Sequence, residues 1–139
     1  MTLFEIINKL KDIAINKPNI NYVGEGDVYI LNSLPNIDYS AFFITQNQHS
    51  IDSNTITYNL NLFYIDRIAD SEDNVLNIQS DGMLQLTNII NNLVFSEDVD
   101  VDGEINFVPF IQRFADNCAG VYCSVSFVTD NNLGICNYD

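Results

Sequence analysis

In the stretch SEDVDVDGEINFVPF, Ser96 to Phe110, four residues have the spacing of a calcium-binding loop. Asp98, Asp100, Asp102 and Gly103 fall at positions one, three, five and six of such a loop. Alternating carboxylates can converge on a hard cation, and Gly103 permits the sharp turn between them. The twelfth position of an EF-hand must supply a bidentate glutamate, but here that position is Pro109. A weak calcium-binding or ligand-binding module therefore stays as an alternative to a solvated turn of repelling carboxylates. Its ligands would be Asp98, Asp100, Asp102 and Glu104.

Other kinds of chemistry have weaker support in the sequence. The only histidine, His49, lies in the polar stretch NQHSIDSN, and adjacent loop residues rarely form a catalytic triad. Zinc binding would need His49 and three cysteines that lack the close spacing of a zinc knuckle: Cys118, Cys123 and Cys136. The GEGD stretch lacks the lysine and the following helix of a phosphate loop. We expect neither a catalytic site nor a metal or cofactor.

Two arginines are the most informative cations. Arg67 in YIDRI and Arg113 in FIQRFAD each have an aspartate close by, Asp66 and Asp116. Because the chain has 5 basic residues against 19 acidic ones, each arginine should meet a particular carboxylate, within the subunit or across a contact. A surface ion pair worth under about 1 kcal/mol is an equally good interpretation for either arginine alone.

The bulk composition bounds the class of protein. The chain has 139 residues, about the length of one domain with one core. Its formal net charge is −14, and its few scattered basic residues exclude a basic patch for nucleic acid phosphates. No apolar run reaches the ~18 residues of a membrane helix, and the start does not resemble a signal peptide. Three cysteines, which cannot all pair, indicate a reducing, intracellular site of synthesis.

Hydrophobic periodicity predicts one domain, residues 1–139, with the element order α-β-β-β-β-α-β-β. The first helix begins at a capping box of Thr2 and Glu5 and ends before Pro18. A turn is predicted at Cys118–Ala119, and a further short strand is left open at Gly134–Asn137. The second helix is predicted over Asn74–Phe95, and the strands over Ile20–Val23, Val28–Leu31, Ala41–Gln46, Thr55–Ile65, Ile105–Phe114 and Val121–Phe127.

This order indicates an α+β fold, an antiparallel or mixed β-sheet with two helices packed on one face. The strands Ala41–Gln46 and Thr55–Ile65 are joined by a polar loop, so we expect a long hairpin able to project from the body. The clearest strand pattern is TITYNLNLFYI, in which Tyr58 and Tyr64 share one face.

Two segments resemble a known class of proteins. LNLFYIDRIADSEDNVLNIQSDGMLQLTNIINNL, Leu60 to Leu93, and FVPFIQRFADNCAGVYCSVSFV, Phe107 to Val128, are similar to small tail-completion and tail-terminator-like ring proteins of tailed bacteriophages that infect Bacteroides, including crAss-like phages. The stretches YIDR and FADNCAGVY carry most of the resemblance, which covers roughly two fifths of the chain. The order of helices and strands over the whole chain also looks like the terminator fold.

The resemblance implies a structural virion protein without enzymatic activity. Such proteins form homo-oligomeric rings at the neck or tail, join head and tail, and assemble in the host cytoplasm. Double-stranded DNA would pass through an acidic lumen without specific binding, and other neck, tail or portal proteins would be partners. No membrane is implied. The contact residues between subunits would include Arg67, Asp66, Arg113, Asp116, Tyr58 and Tyr64. The residues facing the channel or a neighbouring ring would include Glu97, Asp98, Asp100 and Asp102.

Overall fold

The structure is a computed structural model that describes residues 1–27, 38–69, 71, 73–97, 99–113 and 117–130, with the backbone alone at 112 and 113. The helices in this part of the chain are α1 (Leu3–Ile15) and α2 (Val75–Ser96). The strands are β1 (Tyr22–Glu25), β2 (Ala41–Gln46), β3 (Ser50–Ile51), β4 (Thr55–Arg67), β5 (Asp100–Val101), β6 (Phe107–Arg113) and β7 (Asn117–Asp130). The predicted α+β class and the predicted order of helices and strands are confirmed.

All the described strands belong to one mixed sheet. Its path runs β1-β2-β4-β7-β5, while β3 pairs with β4 and β6 pairs with β7. The β1–β2 pair is parallel, and the others are antiparallel. The two longest strands, β4 and β7, pair over the whole length of β4, from Thr55 opposite Asp130 to Arg67 opposite Cys118. This long pair is the centre of the sheet.

Local signals explain where α1 begins. The Thr2 hydroxyl accepts a hydrogen bond from the Glu5 backbone N–H at 3.2 Å, and the Glu5 carboxylate accepts one from the Thr2 backbone N–H at 3.2 Å. This reciprocal arrangement is the predicted capping box, and it satisfies donors that the first helical turn leaves unpaired. The predicted start of the first helix is confirmed.

Both helices pack on one face of the sheet. The buried side chains of α2 follow the spacing of a helix stripe, and those of β4 and β7 follow the two-residue period of a strand. Together with α1 they form one core, whose fully buried members include Ile6, Leu10, Leu60, Leu62, Leu86, Leu93 and Phe127. Burial of this face is the main source of stability.

Two glycines allow close approach inside the fold. A Cβ at Gly82 of α2 would lie 2.8 Å from Cδ1 of Tyr64 and 2.9 Å from Cγ2 of Val121, so only glycine lets the helix pack this closely on the sheet. A Cβ at Gly120 of β7 would approach the Tyr64 carbonyl oxygen of β4 more closely still. Helix propensity alone predicts only that Gly82 weakens α2.

The structure corrects three details of the predicted elements. The stretch INYVGEGDVYIL predicts a hairpin of Ile20–Val23 and Val28–Leu31 with a turn at Gly24–Asp27, but Gly24 belongs to β1, which pairs in parallel with β2. The predicted strand Val28–Leu31 lies outside the described residues, as does Gly134–Asn137. Strand β7 begins at Asn117, so Cys118 and Ala119 are paired strand residues where a turn was predicted. The polar loop before β4 contains the two-residue strand β3.

Candidate interaction surfaces

The acidic residues concentrate at the two ends of α2. The segment 66–73, between β4 and α2, contains four of the chain's 19 acidic residues, and the segment 97–104, after α2, contains five. We call these segments the first and the second acidic end. With 22 residues, α2 is roughly 33 Å long, and this length separates the two ends. Nine of the 19 acidic residues thus lie in the two segments that flank α2 in the sequence.

The second acidic end is partly held by the protein itself. The Glu97 carboxylate accepts a salt bridge from Lys9 of α1 at 3.2 Å, with a quarter of the Glu97 side chain exposed. The Asp102 backbone N–H donates to the Ser126 carbonyl oxygen at 2.9 Å, and Gly103 turns the chain with φ +77°. The side chains of Asp100, Asp102 and Glu104 are exposed. Glu97 thus faces α1 and Val99 is buried in the core, while the carboxylates of Asp100, Asp102 and Glu104 face outward.

The calcium hypothesis gains no support from the described residues. Among them, no three histidine, cysteine or acidic side chains are close enough to hold a metal ion. Asp98, a predicted ligand, lies outside the described residues, so the site stays a prediction. A calcium-dependent rise in melting temperature that Asp100→Asn abolishes would support it.

Two of the predicted subunit-contact residues, Tyr58 and Tyr64, are buried in the subunit. Tyr58 and Tyr64 are 6 % and 4 % exposed and face the helices, so their side chains are not at the surface that a subunit contact requires. The Tyr58 hydroxyl donates to the Met1 carbonyl oxygen at 3.0 Å. Burial raises the pKa of both phenols. The alternation had marked both residues as one face of a strand, and that face is the covered one.

The surroundings of the two arginines are described only in part. Arg67 is exposed, and its guanidinium carbon lies 5.2 Å from the ring centre of Tyr39, within cation–π distance. The Asp66 carboxylate accepts a hydrogen bond from the Arg67 backbone N–H at 2.8 Å. The side chain of Arg113 and the whole of Asp116 lie outside the described residues. Their role in a subunit contact stays a prediction.

The expected hairpin of β2 and β4 forms, but it does not project. Its register runs from Ala41 opposite Ile65 to Gln46 opposite Leu60. Strand β2 is buried apart from its last residue, and β4 is paired with β7 on its other side along its whole length. The hairpin is therefore the middle of the sheet, and its exposed part is the tip, residues 47–54.

Side-chain hydrogen bonds order the polar tip of the hairpin. The Asn59 backbone N–H donates to Nδ1 of His49 at 3.1 Å, so the His49 proton is on Nε2, which lies 3.0 Å from Oε1 of Gln46. Hydrogen bonds from the backbone N–H groups of Thr55 and Asn54 lower the pKa of Asp52. His49 and Asp52 thus anchor the tip through hydrogen bonds to neighbouring residues.

The side of the sheet away from the helices, which we call the open face, carries a row of aromatic rings. The rings of Phe63 and Tyr122 stack with centres 5.1 Å apart, and Phe110 lies 6.4 Å from Tyr122. These side chains are half-buried. A groove of about 650 Å³ borders this row and is lined by Gly26, Asp27, Thr45, Gln46, Asn61, Phe63 and Tyr122.

Beyond the aromatic row, the open face carries an amide ladder, which consists of Asn47, Asn59, Asn61, Ser124 and Ser126. The amides of Asn47 and Asn61 exchange hydrogen bonds at 3.0 and 3.1 Å, and the Ser124 hydroxyl donates to Asn61 at 2.6 Å. Asn59 accepts from Ser126 at 2.5 Å and donates to the Gln48 carbonyl oxygen at 2.7 Å. The ladder therefore satisfies much of its own hydrogen bonding.

The open face of the three central strands is uncharged between its ends. On β2, β4 and β7, the only charged open-face residues are Arg67 and Asp130, which end their strands at opposite ends of the sheet. The intervening positions are Ala41, Phe43, Thr45, Thr55, Thr57, Asn59, Asn61, Phe63, Ile65, Cys118, Gly120, Tyr122, Ser124, Ser126 and Val128. Six of these positions, Ala41, Phe43, Thr45, Ile65, Cys118 and Gly120, are buried, so the accessible uncharged surface runs from Thr55 to Phe63 of β4 and over the facing residues of β7.

The outer surface of α2 is also nearly uncharged. Asp81 is the one charged residue among its 22, whereas the 17 % charged share of the chain would give about four. Large apolar side chains are exposed there: Leu76 at 75 %, Met83 at 45 %, Leu84 at 60 % and Phe95 at 88 %. The sequence alone contains this signal, because the scarcity of charge in VLNIQSDGMLQLTNIINNLVFS can be read directly.

Two further features contain titratable side chains. A cleft of about 530 Å³ beside α2 contains the carboxylates of Asp66 and Asp81 with Tyr39, Tyr64 and Gln85. Cys123 is fully buried, and burial raises the pKa of its thiol to about 12, so the thiol stays protonated at neutral pH. Cys123 is therefore a small residue of the core.

No family model matches the sequence, and no curated protein matches it. Among the described residues, no helix is long and apolar enough to cross a membrane.

Proposed function

We propose that this protein is a structural subunit of a homo-oligomeric ring at the neck or tail of a tailed bacteriophage, where double-stranded DNA passes without being bound. The proposal is supported by one observation: many acidic residues lie away from the surfaces that could contact another subunit. Two surfaces on opposite sides of the subunit, the accessible part of the open face and the outer surface of α2, are nearly uncharged, while nine of the 19 acidic residues lie in the two acidic ends and ten lie elsewhere in the chain.

This separation suits a ring of identical acidic copies. Each copy has a net charge of −14, so copies that met through acidic surfaces would repel one another. Copies that meet through uncharged sides keep their carboxylates at the ends, where water and salt screen them. The acidic ends would then border the central hole or face the adjoining rings and portal.

An acidic border also suits passage of DNA. Lysine or arginine side chains bind phosphates and release counterions, which would slow a moving duplex. Lys9, Lys11 and Lys17 lie on or just after α1, and Lys9 and Lys11 form ion pairs with Glu97 and Glu25 at 3.2 and 3.1 Å. The proposed ring is a passive virion part, assembled in the host cytoplasm, without a catalytic role.

Cryo-electron microscopy of the virion neck and tail tests the proposal. The expected result is a closed ring of this subunit around the DNA channel, with the second acidic end exposed to the channel or to the next ring. A particle in which the chain is absent, or present outside any closed ring, would contradict the proposal. Substrate turnover by the purified protein that depends on one of its side chains would contradict it as well.

A further inference from the structure

We infer that the subunits of the ring contact each other head to tail, with the outer surface of α2 of one copy packed on the open face of the next. This inference rests on the proposed function and names the contact that the ring would use. The occupant of the open face is thus a second copy of this chain.

The relative position of the two surfaces supports a head-to-tail contact. Both helices cover one side of the sheet, so the outer surface of α2 and the open face lie on opposite sides of the subunit. A contact between them uses two different surfaces. When two copies bind in this way, one copy keeps its open face free and the other keeps its α2 surface free. Such a heterologous contact repeats around a ring, whereas an open face that met another open face would stop at a dimer.

Covering the open face with a neighbour would leave few hydrogen-bonding groups without a partner. Its amide ladder satisfies much of its own hydrogen bonding through Asn61, which pairs with both Asn47 and Ser124. A neighbour that covers the ladder therefore leaves few unpaired polar groups behind. The half-buried rings of Phe63 and Tyr122 and the exposed Val108, at 42 %, offer apolar area for a partner.

The outer surface of α2 has the matching chemistry. Leu76 and Met83 are seven positions apart and thus on the same side of the helix, and Leu84 adjoins Met83. These exposed side chains can bury against the aromatic row, and the helix amides and hydroxyls can lie over the ladder. Asp81 is the one carboxylate of α2, so two acidic copies can approach here with little repulsion.

The dimensions of the two surfaces also agree. The accessible part of the open face runs from Phe63 to Thr55 and across the strands beside β4 and β7, roughly 30 Å by 20 Å. This is roughly 600 Å², at the lower end of what each partner buries in a specific interface. Helix α2, roughly 33 Å long, spans the same distance.

The experiment places a charge on each surface and measures self-association of the full chain up to millimolar concentration by sedimentation velocity and native mass spectrometry. Leu84→Glu changes the helix surface, and Ser124→Glu changes the open face. We expect each variant to weaken association at least about tenfold, because a carboxylate must then be buried against an uncharged surface. The double variant Leu84→Lys with Ser124→Glu should recover most of the loss.

Matched controls separate this contact from general effects. Ile15 on α1 is 60 % exposed, as Leu84 is, so Ile15→Glu adds the same charge elsewhere and should associate like the unaltered protein. Ser124→Ala removes the hydroxyl without adding charge and should weaken association less than Ser124→Glu. Melting curves of all variants show whether each one remains folded.

The outcomes separate the contact from the proposed function. The inference is overturned if both glutamate variants associate normally, if only the open-face variant fails, or if the unaltered chain stays monomeric at millimolar concentration. A closed ring in the virion together with any of these results leaves the function standing and rejects the contact. Open filaments that depend on both surfaces support the contact and contradict the ring.

Discussion

The two faces of the sheet are built by the same alternating strands but have different roles. On the helix side, Leu60, Leu62 and Phe127 are fully buried and form the core. On the open side, the same strands present Phe63, Tyr122 and the amide ladder, which are only partly covered. An alternation of apolar and polar residues therefore separates the face that folds the protein from the face that remains available for partners.

The largest expected difference between the faces is in the free energy of unfolding. Phe127→Ala should lower it by about 3–5 kcal/mol, because the substitution leaves a cavity in the core. Tyr122→Ala on the open face should cost only about 1–2 kcal/mol, since it removes a half-exposed ring and one stacking partner. Urea unfolding followed by circular dichroism measures both, and equal losses would contradict the distinction between the faces.

A second test concerns how closely α2 packs on the helix side. Gly82→Ala should lower the free energy of unfolding by about 1–3 kcal/mol, because the new methyl group meets Tyr64 and Val121 inside contact distance. Helix propensity alone predicts the opposite sign, a gain of up to about 1 kcal/mol. The exposed Ser80 on the same helix is the control, and Ser80→Ala should be neutral or slightly stabilising. Gain of stability in Gly82→Ala would show that the close packing is unimportant.

A smaller effect is expected within the amide ladder of the open face. A double-mutant cycle of Asn61→Ala and Ser124→Ala should give a coupling energy of about 0.5–1.5 kcal/mol, as for one net hydrogen bond. A cycle of Asn61→Ala with Thr87→Ala, which lies on α2, should show none. Coupling near zero in the first cycle would mean that water replaces the ladder at no cost.

The smallest effect is a pH dependence at the hairpin tip. Hydrogen bonds from Thr55 and Asn54 hold the pKa of Asp52 below its ordinary value of 3.8. A lowered folded pKa means that the carboxylate contributes stability above pH 3.8 and loses it as the pH falls through the folded value. Asp52→Asn should therefore be less stable than the unaltered protein at neutral pH, with a difference that narrows in acid. A carboxylate titration by NMR that gave an ordinary pKa would contradict this origin.

Local patterns were enough to predict much of the fold. The capping box of Thr2 and Glu5, the helix period of α2 and the alternation of β4 each depend on neighbours within a few residues, and each formed as predicted. Pairings between segments that are far apart in the sequence were harder to predict. The parallel partner of β1 could not be read from β1 itself, and the strand residues Cys118 and Ala119 look like a turn until β4 and β6 pair on both sides of them.

For the candidate surfaces too, some features follow from the sequence and others only from the tertiary structure. The sequence by itself determined the net charge of −14, the acidic segments and the scarcity of charge in α2, because these are counts along the chain. Only the tertiary structure decided which alternating face the helices cover, and so why Tyr58 and Tyr64 are core residues while Asn61 and Tyr122 stay accessible. A strand's two faces are distinguished by what packs on them, and that packing joins residues far apart in the chain.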